Sequence, residues 1–364
     1  MKILILANHY LTLRVFRREL IQKLSESHEV VISIPDDEQE YMDELRSFGA
    51  RLVYLKNMDR RAINPVEDLK LIREYNQLLK SEKPDKVITY TIKCNIYGAL
   101  ACKLQKIPCY SNVTGLGTAF NNGGMLKLIT SKMYKFSMNK VEKVFFENVG
   151  NEKTVLDMKI FRPEQTYVLN GAGVNLDRFC FTDYPEDNGN ISFLFFARIM
   201  KEKGVDELFY AIKKLSLEYD NLSFDFIGIY EDEYESKVKE LESKGLIKYH
   251  GFQKDVVPFI QKCNCVVLPS YHEGMANTLL ESASVGRPII TSDIHGCMES
   301  IVDGKSGLLA KVQNKDDLYL KIKEFIELPY EEKVCMGMAA RKHMEENFDK
   351  NAVVDETIRE IIGS

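Results

Sequence analysis

The segment CVVLPSYHEGMANTLLESASVGRPIITS, residues 265–292, holds four things in order: an apolar run, a polar turn around Glu273 and Gly274, a helix-like stretch opening at Asn277, and a second apolar run. Short apolar runs without polar alternation are strands covered on both faces, the hallmark of parallel sheets with helical crossovers. A strand, a tight turn, a helix and another strand make one βαβ unit.

Outward from that unit the same alternation fills the chain. Strand-like runs at 191–197, 224–229, 247–249, 265–268 and 288–292 form one series, and runs at 2–7, 29–34, 51–55, 86–91 and 143–147 form another. Helical periods lie between them at 15–24 and 66–79; the second opens after Asn64-Pro65, a cap followed by a residue suited to the first helical position. The pattern breaks at 181–190, FTDYPEDNGN, which reads as a linker. A length of 364 residues also exceeds the roughly 250–300 at which single cores stop growing. The expected fold is α/β, with two doubly wound Rossmann-like domains over residues 1–182 and 190–346. Such sheets bind ligands at the carboxyl ends of their strands.

Composition narrows the function. At 45% hydrophobic residues the chain can fold, and its longest apolar runs fall far short of the roughly 20 residues a bilayer helix needs. The opening MKILILANHY reads as a first strand and not as a signal peptide. Eight cysteines without a CxxC pair read as reduced core thiols of a cytosolic protein, and Cys263-Asn264-Cys265 is a poor metal site. The net charge of −5 disfavours a nucleic-acid partner, but it is an average: residues 1–182 carry 27 basic against 21 acidic residues and the remainder 22 against 33. That asymmetry points to an anionic ligand or surface engaged by one half. The turn after the first strand has no glycine and no P-loop occurs, so neither NAD nor ATP is expected and no cofactor is assigned.

Two clusters carry chemistry. Backbone N–H groups of Gly274, Met275, Ala276 and Asn277, near a helix start, suit a phosphate. Glu273 before the helix and Glu281 about two turns inside it can hydrogen-bond hydroxyls at opposite ends of an elongated ligand; a capping acid and a solvated helix acid are the plainer reading. Arg198 and Lys203, past the strand at 191–197, can neutralise a leaving diphosphate, or be ordinary solvated loop charges. Lys93, past the strand at 86–91, is a candidate partner for an acceptor diphosphate. Residues 121–141 hold Lys127, Lys132, Lys135 and Lys140 and no acid, with Met125, Ile129, Met133 and Phe136 on one helical face. This stretch either lies on an anionic membrane surface or packs that face into its own domain.

The ordered series Arg198…Lys203-Gly204, His250-Gly251-Phe252, Glu273-x7-Glu281, Gly286-Arg287-Pro288 and Asp303-Gly304…Gly307-Leu308-Leu309 resembles the family-four retaining glycosyltransferases of the GT-B fold. Asp59-Arg60-Arg61-Ala62-Ile63-Asn64-Pro65, Thr114-Gly115-Leu116-Gly117 and residues 170–179 add likeness to the subgroup of bacterial capsule, O-antigen and lipid-linked glycan assembly. The resemblance implies two domains facing a cleft and a C-terminal helix, about residues 347–364, crossing back onto the first. It implies that Arg198 and Lys203 hold the donor diphosphate, Glu281 the ribose, and Glu273 the transferred sugar. Gly251, Phe252 and Gln253 would flank the base, and Thr114, Gly115 and Gly117 would touch donor or acceptor. Many members carry histidine where this chain has Thr114, which cannot carry a proton at neutral pH. No Asp-x-Asp occurs, and Arg198 with Lys203 can supply the charge a divalent ion would bring, so metal-independent transfer is expected. The expected activity is retaining transfer of a hexose or N-acetylhexosamine from a UDP-sugar to a polyprenyl-diphosphate-linked saccharide, peripherally at the cytoplasmic face of the cell membrane. Two alternatives are a non-hydrolysing UDP-sugar 2-epimerase and a catalytically silent GT-B binding protein.

Overall fold

The computed structural model describes residues 1–58, 64–117, 124–231 and 233–363. Asp59 to Ile63 of the family-like motif and residues 121–123 of the basic stretch lie outside the described residues, as does the side chain of Met125. The chain forms two compact units, Met1–Ala172 with Asn351–Ser364, and Gly173–Lys350.

The first unit carries a parallel sheet of order β3-β2-β1-β4-β5-β6-β7, built from β1 (Lys2–Leu6), β2 (Glu29–Pro35), β3 (Arg51–Leu55), β4 (Lys86–Tyr90), β5 (Cys109–Val113), β6 (Lys143–Phe146) and β7 (Thr166–Val168). Its central strand is apolar throughout because both faces are covered. Ile3 and Ile5 pack with Leu13, Leu20 and Ile21, whereas Leu4 and Leu6 pack with Leu71 and Tyr75. The second unit has the order β10-β9-β8-β11-β12-β13, from β8 (Ile191–Phe196), β9 (Leu222–Ile227), β10 (Lys248–Tyr249), β11 (Cys265–Leu268), β12 (Ile289–Ser292) and β13 (Gly307–Ala310). Strand order reverses between β1 and β4 and between β8 and β11, which opens a crevice at the carboxyl ends in each sheet.

Three strands escaped the periodicity. β5 carries Ser111 and Asn112, both buried, which disguises it as a polar segment; β7 has three residues; β13 opens on Gly307. The helix expected over 15–24 is two helices, Tyr10–Phe16 and Arg18–Ser25, separated at Arg17, whose buried guanidinium donates to Glu147 at 2.8 Å. Six cysteines are buried, but Cys180 and Cys335 are exposed, so these two are not core thiols.

The chain leaves the first unit between Ala172 and Gly173, ahead of the polar stretch 181–190 read as a linker. That stretch belongs to the second unit because its neighbours are tied down there: Ser284 donates to the Phe179 carbonyl at 2.6 Å, and Arg287 donates to the carbonyls of Thr182 and Asp183. The last helix, Lys350–Ile362, returns to the first unit from Asn351 onward, where Val354 and Ile361 enter the core and Glu356 accepts from the Tyr167 hydroxyl at 2.6 Å.

Gly173 lies where the chain enters the second unit. Its φ is +68°, and a Cβ there would stand 2.8 Å from Cα of Lys350. Backbone of the Val174–Asp349 bridge fixes that neighbour, so Gly173→Ala is expected to cost about 1–3 kcal/mol. An unchanged urea midpoint would show that the crossing can shift freely.

Candidate active site

In the second unit, β8 and β11 each end in a turn bearing charge. Gly204 closes the first turn with φ +70°, and a Cβ on it would sit 2.0 Å from the carbonyl oxygen of Pro269. Only glycine lets the two turns touch here, and that contact sets Lys203 against Glu273. Their side chains form an ion pair, 15% and 13% exposed, and Ser270 Oγ donates to the same carboxylate oxygen at 2.8 Å. Behind them Gly296 packs on the turn, where a Cβ would meet the Gly274 carbonyl at 2.6 Å. Ser270 and Gly296 were not singled out in the sequence. Ser270 was legible as a hydroxyl three residues before a candidate acid; Gly296 is brought close only by the fold.

Arg198 is turned elsewhere: its Nη1 donates to both oxygens of Glu231 at 3.0 Å, with its side chain half exposed. Of the backbone amides at 274–277, that of Ala276 already donates to Gly296 and that of Asn277 to Met275, at 2.8 and 3.0 Å. Two of the four amides expected to face a phosphate are therefore taken up internally. The following helix is Asn277–Ser284, so Glu281 lies one turn inside it and not two. Past β10, Gly251 adopts φ +66° and its carbonyl accepts from Gly228; Gln253 donates to the His250 carbonyl at 2.6 Å, and Phe252 projects outward, 68% exposed.

Burial pushes the carboxyl of Glu281 up to about 7, against the pull of Arg178 and Lys350. An acid that is harder to ionise in the folded state is neutral in both states at low pH. As pH rises from the ordinary carboxylate range toward 7, the unfolded chain ionises first and stability falls, with a ceiling near 3 kcal/mol. Glu281→Gln is therefore expected to melt higher than wild type at pH 8 and at the same temperature near pH 4. Equal melting at both pH values would sink that account.

In the first unit, Lys93, Thr114, Gly115 and Gly117 share one cavity of about 290 Å³ at the carboxyl ends of β1, β4 and β5, together with Asn8, Asn95, Asn112 and Tyr134. Lys93 does not offer an unpaired charge: its Nζ lies 3.1 Å from Asp68, whose other oxygen accepts from Tyr97 at 2.7 Å. The asparagines were not singled out; Asn8 just past β1 offered a signal, whereas Asn112 lies inside β5 and Asn95 in the turn Cys94–Gly98, where the sequence offered none. His9 caps the helix Tyr10–Phe16, its Nδ1 accepting from Leu11 at 3.2 Å.

On the helix Gly124–Ser137 the face packed inward carries Thr130, Ser131, Tyr134 and Ser137. Of the face read from the sequence, Met133 is partly buried against the core, whereas Ile129 and Phe136 point outward beside exposed Leu128, Lys132 and Lys135. Lys103 stands 4.4 Å from the centre of the Phe136 ring. Among the described residues no helix is long and apolar enough to cross a membrane.

Comparison with known proteins fits both halves. The family model "Glycosyl transferases group 1" matches residues 180–343, and "Glycosyl transferase 4-like" matches residues 2–148. An N,N'-diacetylbacillosaminyl-diphospho-undecaprenol alpha-1,3-N-acetylgalactosaminyltransferase of Campylobacter jejuni is 28% identical across 94% of each chain. A UDP-Gal:alpha-D-GlcNAc-diphosphoundecaprenol alpha-1,3-galactosyltransferase of Escherichia coli is 24% identical over 70% of each. The solved structure of Anabaena HepE in complex with UDP superposes with a TM-score of 0.81 over 99% of each chain at 16% identity.

Proposed function

The chain belongs to the glycosyltransferases of GT-B fold, and from that premise we propose that it moves a hexose or N-acetylhexosamine from a UDP-sugar to a polyprenyl-diphosphate-linked saccharide. The observation that carries the reading is the Lys203–Glu273 pair at the reversal point of the second sheet. Each partner is neutralised by the other until a donor arrives. The donor's diphosphate then takes the ammonium, and sugar hydroxyls take the carboxylate, so one contact is exchanged for two. Arg198 leaves Glu231 to join the diphosphate, Glu281 accepts from the ribose, Phe252 with Gly251 and Gln253 flanks the base, and Gly274 with Met275 lines the sugar. Charge developing on the departing UDP is met by fixed cations, which is where electrostatic catalysis acts. No metal is needed for that role, and retention at the anomeric carbon follows the family resemblance.

The lipid-linked acceptor is supported by the names of the two undecaprenol-linked relatives. Exposed Leu128, Ile129 and Phe136 among lysines suit peripheral attachment to the anionic cytoplasmic face of the membrane. The test is a thermal-shift screen of UDP-, GDP- and dTDP-sugars, then transfer from the stabilising donor to a polyprenyl-diphosphate saccharide in excess EDTA. A UDP-sugar is expected to stabilise the protein and transfer to persist in EDTA. Stabilisation only by another nucleotide, or loss of transfer in EDTA, would overturn the corresponding part. Replacing Lys127, Lys132, Lys135 and Lys140 with serine should weaken liposome binding and its salt dependence; unchanged binding would remove the membrane claim.

A further inference from the structure

β8 lies between β9 and β11, and its closing turn bears two cations, each held by an acid from a neighbouring turn: Lys203 by Glu273 after β11, and Arg198 by Glu231 after β9. Glu273 already has a part in the proposed reaction, as the acid that takes sugar hydroxyls. Glu231 has none, although the fold fixes it beside Arg198.

Backbone does the fixing. Past the ends of β8 and β9 the two strands bend and then pair again: the Ile199 amide donates to the Ile229 carbonyl at 2.9 Å, and the Glu231 amide donates to the Ile199 carbonyl at 3.0 Å. Gly228 permits the bend. Its φ is +151°, and a Cβ there would stand 1.8 Å from the Ala197 carbonyl oxygen. The Tyr249 hydroxyl donates to the Gly228 carbonyl at 2.8 Å, and the Tyr230 and Tyr249 rings lie 4.8 Å apart, which braces the turn from β10. Side chains alternate along such paired backbone, so Arg198 and Glu231 emerge on one face while Ile199 is wholly buried on the other.

The pair is easily broken. One nitrogen of Arg198 serves both carboxylate oxygens at 3.0 Å, and the side chains are 53% and 31% exposed. A single nitrogen lacks the two parallel bonds of a fork, and an exposed ion pair is a weak contact. A diphosphate offers the guanidinium more charge and the fork geometry, so it takes Arg198, but only by displacing the carboxylate. Whatever holds Arg198 beforehand subtracts from the affinity of every nucleoside diphosphate, donor and product alike.

We propose that Glu231 is a positioning residue that competes with the diphosphate for Arg198, holding down affinity for the donor and for UDP and so hastening loss of the product. The proposal rests on the glycosyltransferase reading and adds that this acid sets affinity against turnover. Weaker donor binding does not slow an enzyme saturated with donor, because contacts made equally in ground and transition states lower KM without raising kcat.

The test is Glu231→Gln in the full chain, alone and together with Arg198→Met, titrated with UDP by calorimetry near pH 8. Among the described residues the Glu231 side chain has no partner but Arg198, so the variant is expected to melt as wild type does. UDP is expected to bind about two- to fivefold more tightly in about 50 mM salt, the range for an exposed ion pair, and the gain to shrink in about 500 mM salt. With Arg198→Met already present, the same exchange should move UDP affinity by less than about 1.5-fold. With whichever of UDP-glucose, UDP-galactose and their 2-acetamido forms is transferred, donor KM should fall by about the same two- to fivefold while kcat stays at or below wild type. A contact that merely braced the turn would act in the opposite direction, weakening UDP and raising KM. UDP binding that is unchanged or weaker in Glu231→Gln, or tightened equally in the Arg198→Met background, would overturn the proposal alone. If neither wild type nor any variant binds UDP or transfers a sugar, the glycosyltransferase reading falls and the proposal with it.

Discussion

Lys203→Ala is expected to slow sugar transfer by roughly 10²–10³-fold, the usual consequence of removing one group that stabilises charge developing on a leaving group. The variant also takes the ammonium from a carboxylate that is only 13% exposed, while the Ser270 hydroxyl stays on Glu273. Some stability is lost for that reason alone, because removing one partner of a largely buried ion pair is costly. The double variant Lys203→Ala/Glu273→Ala separates the two effects. It removes the carboxylate that lost its cation, so its melting temperature should recover toward wild type while transfer stays down by at least the single-variant factor. Glu273→Ala alone should lose transfer mainly through the sugar, with UDP binding nearly intact. Transfer within a few fold of wild type in either single variant would mean the pair is structural and the chemistry lies elsewhere.

Arg287→Met is expected to destabilise the second unit by at least about 4 kcal/mol, a large share of the roughly 5–15 kcal/mol that holds a domain together. Arg287 is completely buried, and among the described residues its hydrogen-bond partners are carbonyls and one hydroxyl, with no carboxylate. Its Nε donates to Ile260, Nη1 to the carbonyls of Thr182, Val285 and Gly286, and Nη2 to those of Asp183 and Gln261 and to Thr182 Oγ1, at 2.7–3.3 Å. Methionine fills much of the volume but takes these donors away; the carbonyls of Val285 and Ile260 keep the Thr182 amide and the Cys263 thiol, whereas those of Thr182, Asp183, Gln261 and Gly286 lose the guanidinium. Arg287→Lys keeps the charge and three donors, yet an ammonium cannot span a planar fork, so roughly half the loss is expected. Thermal melting followed by circular dichroism, with hydrogen exchange at residues 260–262, checks both. A melting temperature within about 2 °C of wild type for the methionine variant would refute the argument.

The Gly286-Arg287-Pro288 motif was read as part of a family likeness, and the structure gives it a physical reason. Gly286 has φ +85° with Phe181 packed on it, and the guanidinium ties the polar stretch after Phe181 to the sheet. The same contacts explain why 181–190 looked like a linker and is not one. Its composition is that of a loop, but composition does not record which loops are held by side chains from elsewhere.

What the sequence determined by itself is the part of the protein set by local pattern. Continuous apolar runs imposed strands covered on both faces, alternation with amphipathic helices imposed two parallel sheets, and the charges after β8 and β11 sit at strand ends because each follows a buried run directly. Those are short-range consequences of burial and of backbone hydrogen bonding. The tertiary structure decided everything that depends on partners distant in the chain. It closed Lys203 onto Glu273 across 70 residues, engaged Arg198 with Glu231, and neutralised Lys93 with Asp68. It also gathered Asn8, Asn95 and Asn112 from three segments into one cavity with Lys93. A charge or an amide acquires its chemistry from what stands within a few ångströms of it, and no periodicity along the chain encodes that neighbour.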